Sequence, residues 1–198
     1  MERTATTTLS TAALLLATGA ASAQIASNGI TIIVDDDTLM PGESTTIRME
    51  AYFDPRDYAM AGVATSLLSS AGAQGLGDLR LVRPMDGPGT SEGTINDRGV
   101  NLILAGQLNG LAGIYADGSN PIAFWEATYT APSDVAAPLD VGLMTETIRF
   151  DVYFELSSPE SESRLDDFAE AEATIRVVPA PAGALVLGGL LLTARRRR

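Results

Sequence analysis

Strict alternation of apolar and polar residues, recurring in separate segments, is the feature that most narrows what this chain can fold into. In TTIRMEAYF, Ile47, Met49, Ala51 and Phe53 fall on one face while Arg48 and Glu50 fall on the other. In ETIRFDVYFEL, Ile148, Phe150, Val152, Phe154 and Leu156 alternate with Arg149, Asp151, Tyr153 and Glu155. In AEATIRVV, Ala173, Ile175 and Val177 are set against Glu172, Thr174 and Arg176. A period of two matches a strand with one buried and one wet face. GITIIV (29–34), GVATSLLSS (62–70), LRLVR (79–83), VNLILAGQL (100–108) and IAFWEATYT (122–130) bring the count to about eight strands. Turn-forming stretches such as MPGES, FDPRD, DGPGTSEG, YADGSNP and APSDVAAP separate them. Residues 59–70 also admit a helical reading, and 161–171 admits an acidic turn or two. The expected fold is all-β: an antiparallel β-sandwich of jelly-roll or immunoglobulin-like size.

Missing residue types remove whole mechanisms. The 198 residues include no cysteine and no histidine. Disulfides, thiolate nucleophiles, imidazole ligands and a Ser-His-Asp triad are therefore excluded. The segment 24–178 carries 24 acidic residues against 8 arginines, a formal charge of −16. Such a surface repels phosphate backbones, which argues against nucleic acid as a partner.

The two ends differ from this body. MERTATTTLSTAALLLATGAASAQ has Arg3, an apolar stretch from about Leu9 to Ala21, and the small-x-small site Ala21-Ser22-Ala23. This predicts a signal peptide over 1–23, read by the secretion machinery and cut between Ala23 and Gln24. The sandwich domain then occupies 24–177. At the other end, residues 178–198 read VPAPAGALVLGGLLLTARRRR. Ala182 to Ala194 makes about 20 Å of helix, and a start at Val177 makes about 27 Å. The longer span crosses a membrane if the terminal arginines snorkel, leaving Arg195, Arg196, Arg197 and Arg198 cytoplasmic.

A proline motif, a short apolar helix and a terminal arginine cluster together resemble the PEP-CTERM sorting signal of Gram-negative bacteria. The motif falls on Val178, Pro179, Ala180 and Pro181, with Ala180 where the family carries glutamate. The resemblance implies recognition by an exosortase, a multi-pass membrane protease, and removal of the signal on the way to the cell surface. The alternative for the same residues is a permanent membrane anchor. Separately, DDDTLMPGESTTIRMEAYF followed by AGVATSLLSS is similar to the opening of cohesin-like and carbohydrate-binding sandwich modules.

Candidate sites are few, and no cofactor is expected. Asp35, Asp36 and Asp37 form the densest acidic cluster; they suit either a solvated turn or oxygen ligation of calcium. Asp117-Gly118-Ser119-Asn120 reads as a tight turn or a calcium-loop fragment. Trp125 and Tyr129 share a strand face and suit either the core or a polysaccharide-stacking platform, with Phe124 on the opposite face. Glu126 and Glu155 are conceivable as a glycosidase pair only if they face each other across a cleft. GAQGLG (72–77) lacks the strand–loop–helix setting of a phosphate loop. The expected function is that of an exported, non-enzymatic cell-surface or extracellular-matrix protein; the competing readings are a surface-displayed carbohydrate-binding module and a carboxylate-dependent hydrolase.

Overall fold

The computed structural model describes residues 26–179. The Ala23/Gln24 cut, Ala180, Pro181, the apolar stretch 182–194 and Arg195–Arg198 lie outside the described residues. Among those described, no helix is long and apolar enough to cross a membrane.

The described residues form twelve strands: β1 (Asn28–Val34), β2 (Thr38–Leu39), β3 (Ser44–Tyr52), β4 (Ala59–Ser69), β5 (Leu76–Leu81), β6 (Thr94–Asn96), β7 (Gly99–Gly106), β8 (Ile122–Thr130), β9 (Leu139–Tyr153), β10 (Ser161–Ser163), β11 (Phe168–Ala169) and β12 (Glu172–Val177). Among the described residues, one 3₁₀ turn spans Leu165–Asp167. The eight strands of six or more residues are the eight that the alternating segments predict; the two- and three-residue strands are too short to leave a pattern. Residues 59–69 form a strand, not the helix that their composition also admitted.

The strands make two layers. The smaller sheet runs β11-β1-β3-β8-β5, and the larger runs β2-β12-β9-β4-β7-β6 with β10 added beside β9. Pairing is antiparallel except for the two-residue contacts β1–β11 and β12–β2, which are parallel. Between the layers lie Trp125, Tyr129, Phe124, Phe150, Ile47, Met49, Met60, Met85, Ile103 and Ile175, all fully buried.

Two of the irregularities in strand pairing overturn an expected face. Between β4 and β9, Ala64 opposes Arg149 and Thr65 opposes Thr147, so Ile148 has no opposite number. An extra residue reverses the inward phase of everything beyond it. Val141, Leu143 and Thr145 point inward before the bulge, Phe150 and Val152 after it. Ile148 is thrown outward and is 65% exposed. The expectation that it shares the buried face of Phe150 and Val152 is thus corrected, as is the expected face position of Leu156, which lies beyond the end of β9 and is exposed. Glu170 secures this bulge. Its Oε1 accepts from the Thr147 N–H at 2.7 Å, and its Oε2 accepts from the Thr145 and Thr147 hydroxyls at 2.6 and 2.9 Å.

The second bulge lies between β3 and β8. Met49 opposes Trp125 and Glu50 opposes Ala123, leaving Phe124 as the extra residue. Phe124 and Trp125 therefore both enter the core, where strict alternation had placed them on opposite faces.

Candidate functional site

Asp36, Asp37, Asp117 and Glu126 have their carboxylates engaged in local structure. Asp36 Oδ1 accepts from the Thr38 N–H at 3.0 Å, and Asp37 Oδ1 accepts from the Thr38 hydroxyl at 3.1 Å, so Asp35–Asp37 builds the turn between β1 and β2. Asp117 Oδ1 accepts from both the N–H and the hydroxyl of Ser119, at 2.9 and 2.6 Å. Those bonds hold its carboxyl below the usual range. Among the described residues, no group of three or more acids is placed to hold a metal ion.

Glu126 sits on the outer face of the smaller sheet between two arginines. Its Oε1 accepts from Arg48 Nε at 2.8 Å and its Oε2 from Arg80 Nε at 2.9 Å. Hydrogen bonds from Arg48 and then Arg80 hold its carboxyl below the ordinary glutamate value. A carboxylate fixed in its ionised form is a poor general acid. Glu155 lies past the end of β9, which belongs to the other sheet. The two do not form a pair across a cleft.

Trp125 and Tyr129 are 0% and 1% exposed, and the indole N–H donates to the Glu92 carbonyl at 2.9 Å. They are core residues and offer no stacking platform. The other residues of the smaller sheet's outer face are mostly hydroxylated or charged: Thr31, Ser44, Thr46, Arg48, Thr128 and Thr130.

The larger sheet presents a different outer face. Inward-pointing Val63, Thr65 and Leu67 leave Gly62, Ala64, Ser66 and Leu68 outward on β4. Across from Ala64 stands Leu104 on β7 and Arg149 on β9; across from Leu68 stands Met144. Between these rows Ile148 protrudes from its bulge. Leu102 protrudes from another irregularity, in which Asn101 and Leu102 together oppose Ser66. Leu102 adopts φ 54°, with its N–H donating to the Ser66 hydroxyl at 3.1 Å. Leu102, Met144 and Ile148 are 43%, 42% and 65% exposed, and Leu104 is half-buried. The ledge is thus apolar at Leu102, Met144 and Ile148, and between Met144 and Ile148 it carries Glu146, which opposes Ser66 and pairs with Arg98.

One end of this face is roofed. Ala116 packs over Ala59 and Tyr153, with Tyr58 and Ala61 around them. Side chain to backbone bonds hold the roofing segment, residues 107–118. Gln107 Nε2 donates to the Met60 and Asp117 carbonyls at 2.7 and 3.0 Å. Buried Asn109 donates to the carbonyls of Glu155 and Ser158, both at 2.9 Å, and accepts from the Ala116 N–H at 3.1 Å. The roof stops short of the ledge, which remains open. Sequence reasoning missed this face. Its signal was present in GVATSLLSS, where small residues alternate with larger apolar ones, but Ile148 and Leu102 reach it only through irregular pairing.

The described residues thus form an all-β sandwich of one five-stranded and one seven-stranded sheet around a main core. The chain is similar in fold to the cohesin module of a family 33 glycoside hydrolase from Clostridium perfringens, with a TM-score of 0.52, 12% identity, and coverage of 78% of this chain and 99% of that one. It is equally similar to the OlpA cohesin from a type I cohesin–dockerin complex of Clostridium thermocellum, at TM-score 0.52, 16% identity, and coverage of 77% and 100%. The OlpC cohesin of another such complex gives 0.51, 11%, and coverage of 80% and 99%. No family model matches the sequence, and no curated protein matches it.

Proposed function

We propose that the chain is an exported, non-catalytic protein-binding module whose docking surface is the outer face of the larger sheet. The observation that carries this reading is the contrast between the two faces. One is polar, while the other holds Leu102, Met144 and Ile148 in the open, with half-buried Leu104 beside them, on a hydrogen-bonded sheet. A preformed apolar patch costs little ordering on association, which is what a docking surface requires. Two of the similar folds are cohesins in complex with dockerins; the partner proposed here is, by that analogy, a small protein domain of dockerin type. Fold similarity alone does not transmit function, so the sheet face rather than the resemblance bears the argument.

Delivery follows from the chain ends. The reading is export through the signal peptide 1–23, transient retention by the apolar stretch before Arg195–Arg198, and processing at Val178–Pro181 by an exosortase-type protease. The folded part is consistent with such a layout. β12 ends at Val177, and among the described residues the last backbone bond runs from the Val178 N–H to the Leu39 carbonyl at 2.8 Å. A motif starting at Val178 would thus emerge directly from the sandwich.

Two experiments test the proposal. The intact mass of the protein from its own cells should correspond to a start at Gln24 and an end near 178–181; a species retaining Arg198 would refute sorting cleavage and leave a permanent anchor. Leu102→Glu with Ile148→Glu should abolish recovery of the extracellular partner by residues 24–179 while leaving the unfolding midpoint unchanged. Undiminished recovery by that variant would refute the docking face.

A further inference from the structure

We propose that a recess beside the apolar ledge is the anchor point of this interface and takes one basic side chain, Lys or Arg, from the partner; the proposal rests on the protein-binding reading above. Asp151, Gly62 and Gly106 stand directly opposite one another across β9, β4 and β7. With no side chain on either glycine, bare backbone forms a floor. A Cβ at Gly62 would lie 3.2 Å from the Ala105 carbonyl oxygen, and one at Gly106 would lie 3.1 Å from that of Ala61, so the glycines also allow close strand approach. Pro88 to Thr90, with Arg149, Asp151, Tyr153 and Ser161, line a half-open recess of about 250 Å³. That space suits a single long side chain and is too small for a segment of folded chain.

The polar lining selects what enters. Tyr153 donates to the Gln107 carbonyl at 3.0 Å, Thr90 donates to the Gly87 carbonyl at 2.6 Å, and the Gln107 amide is committed at both ends. Asp151 has spare capacity. Its side chain is 9% exposed, and its Oδ2 accepts from Arg149 Nε. Among the described residues, none donates to Oδ1. A carboxylate accepts only, so the incoming group must be a donor. A body carrying 24 acidic residues against 8 arginines favours a cationic one. The other sheet shows the completed form of the arrangement, with Glu126 held between Arg48 and Arg80. Asp151 has one arginine, and the partner supplies the second cation.

The test pans a displayed random-peptide library against residues 24–179. Binders lost on Leu102→Glu should carry a Lys or Arg, and their affinity should fall at least about tenfold on Asp151→Asn or when that basic residue is replaced by alanine. Arg149→Ala, which removes the competing guanidinium, should instead tighten binding several-fold, a sign that a merely structural Asp151 would not produce. Matched unfolding midpoints confirm that each variant folds. Binders that need Leu102 but are indifferent to Asp151→Asn and Arg149→Ala would overturn the recess while sparing the face. Selection yielding no binder that depends on Leu102 would overturn both.

Discussion

The bulge at Ile148 makes the sharpest stability prediction. By alternation alone, Ile148 and Phe150 occupy equivalent buried positions. In the structure Ile148 is 65% exposed and Phe150 is 0% exposed. Ile148→Asp is therefore a surface change and should alter stability by no more than about 0.5 kcal/mol. Phe150→Ala empties a packed site beside Phe168, whose ring centroid lies 4.9 Å from its own, and should cost about 3–5 kcal/mol. For a domain of this length each kcal/mol moves the melting temperature by about 2–4 °C. Phe150→Ala should then melt lower by on the order of 10 °C, and Ile148→Asp by no more than about 2 °C. Glu170→Ala, which removes the three hydrogen bonds that secure the bulge, should fall between them at about 1–3 kcal/mol. The assay is equilibrium urea unfolding of residues 24–179, followed through Trp125, the single tryptophan. Slopes shared with the parent keep the midpoints comparable. If Ile148→Asp costs more than about 2 kcal/mol, or as much as Phe150→Ala, the phase reversal is wrong and the larger sheet has a different register.

The Tyr129 hydroxyl is buried without a hydrogen-bond partner among the described residues. Tyr129→Phe should raise stability by about 1 kcal/mol, and a loss on urea unfolding would show that the hydroxyl has a partner. Because Arg48 and Arg80 hold the Glu126 carboxyl below its ordinary value, the folded state binds that proton less readily than the unfolded chain. Its stabilisation is complete above the ordinary glutamate pKa of about 4.3 and declines as pH falls through that value toward the lowered one. Glu126→Gln should therefore cost stability at pH 7 and progressively less in acid; parallel pH curves for the two proteins would count against the ion pairs. Asn109→Ala should cost about 2–3 kcal/mol and speed amide exchange in 107–118 specifically. Uniform exchange across the domain would show that the roof is not a local unit.

The period-two pattern identified the class of fold because a strand with one buried face can hardly be encoded otherwise. Ile47, Met49, Ala51 and Phe53 lie in the core as their spacing requires, and Ile175 and Val177 do likewise. Composition also constrained the chemistry: without cysteine or histidine, few routes to catalysis remained, and Glu126 is occupied by two arginines. The two- and three-residue strands left no trace, since their pairing depends on neighbours far away in the chain. The parallel contact of Thr38–Leu39 with Arg176–Val177 is one example.

The candidate site was largely invisible in the sequence for a related reason. A bulge is a property of two paired strands, and one strand's pattern cannot record it. Ile148 reads as core until Ala64 and Thr65 are seen to oppose its neighbours, and Phe124 reads as outward until Met49 and Glu50 skip it. Gly62 and Gly106 are merely glycines in two separate strands until the sheet sets them side by side next to Asp151. The sequence by itself determined that strands would form and which long segments would make them. Tertiary pairing decided which side chains face water, because a one-residue shift in register exchanges the two faces of a strand at little cost to its own hydrogen bonds.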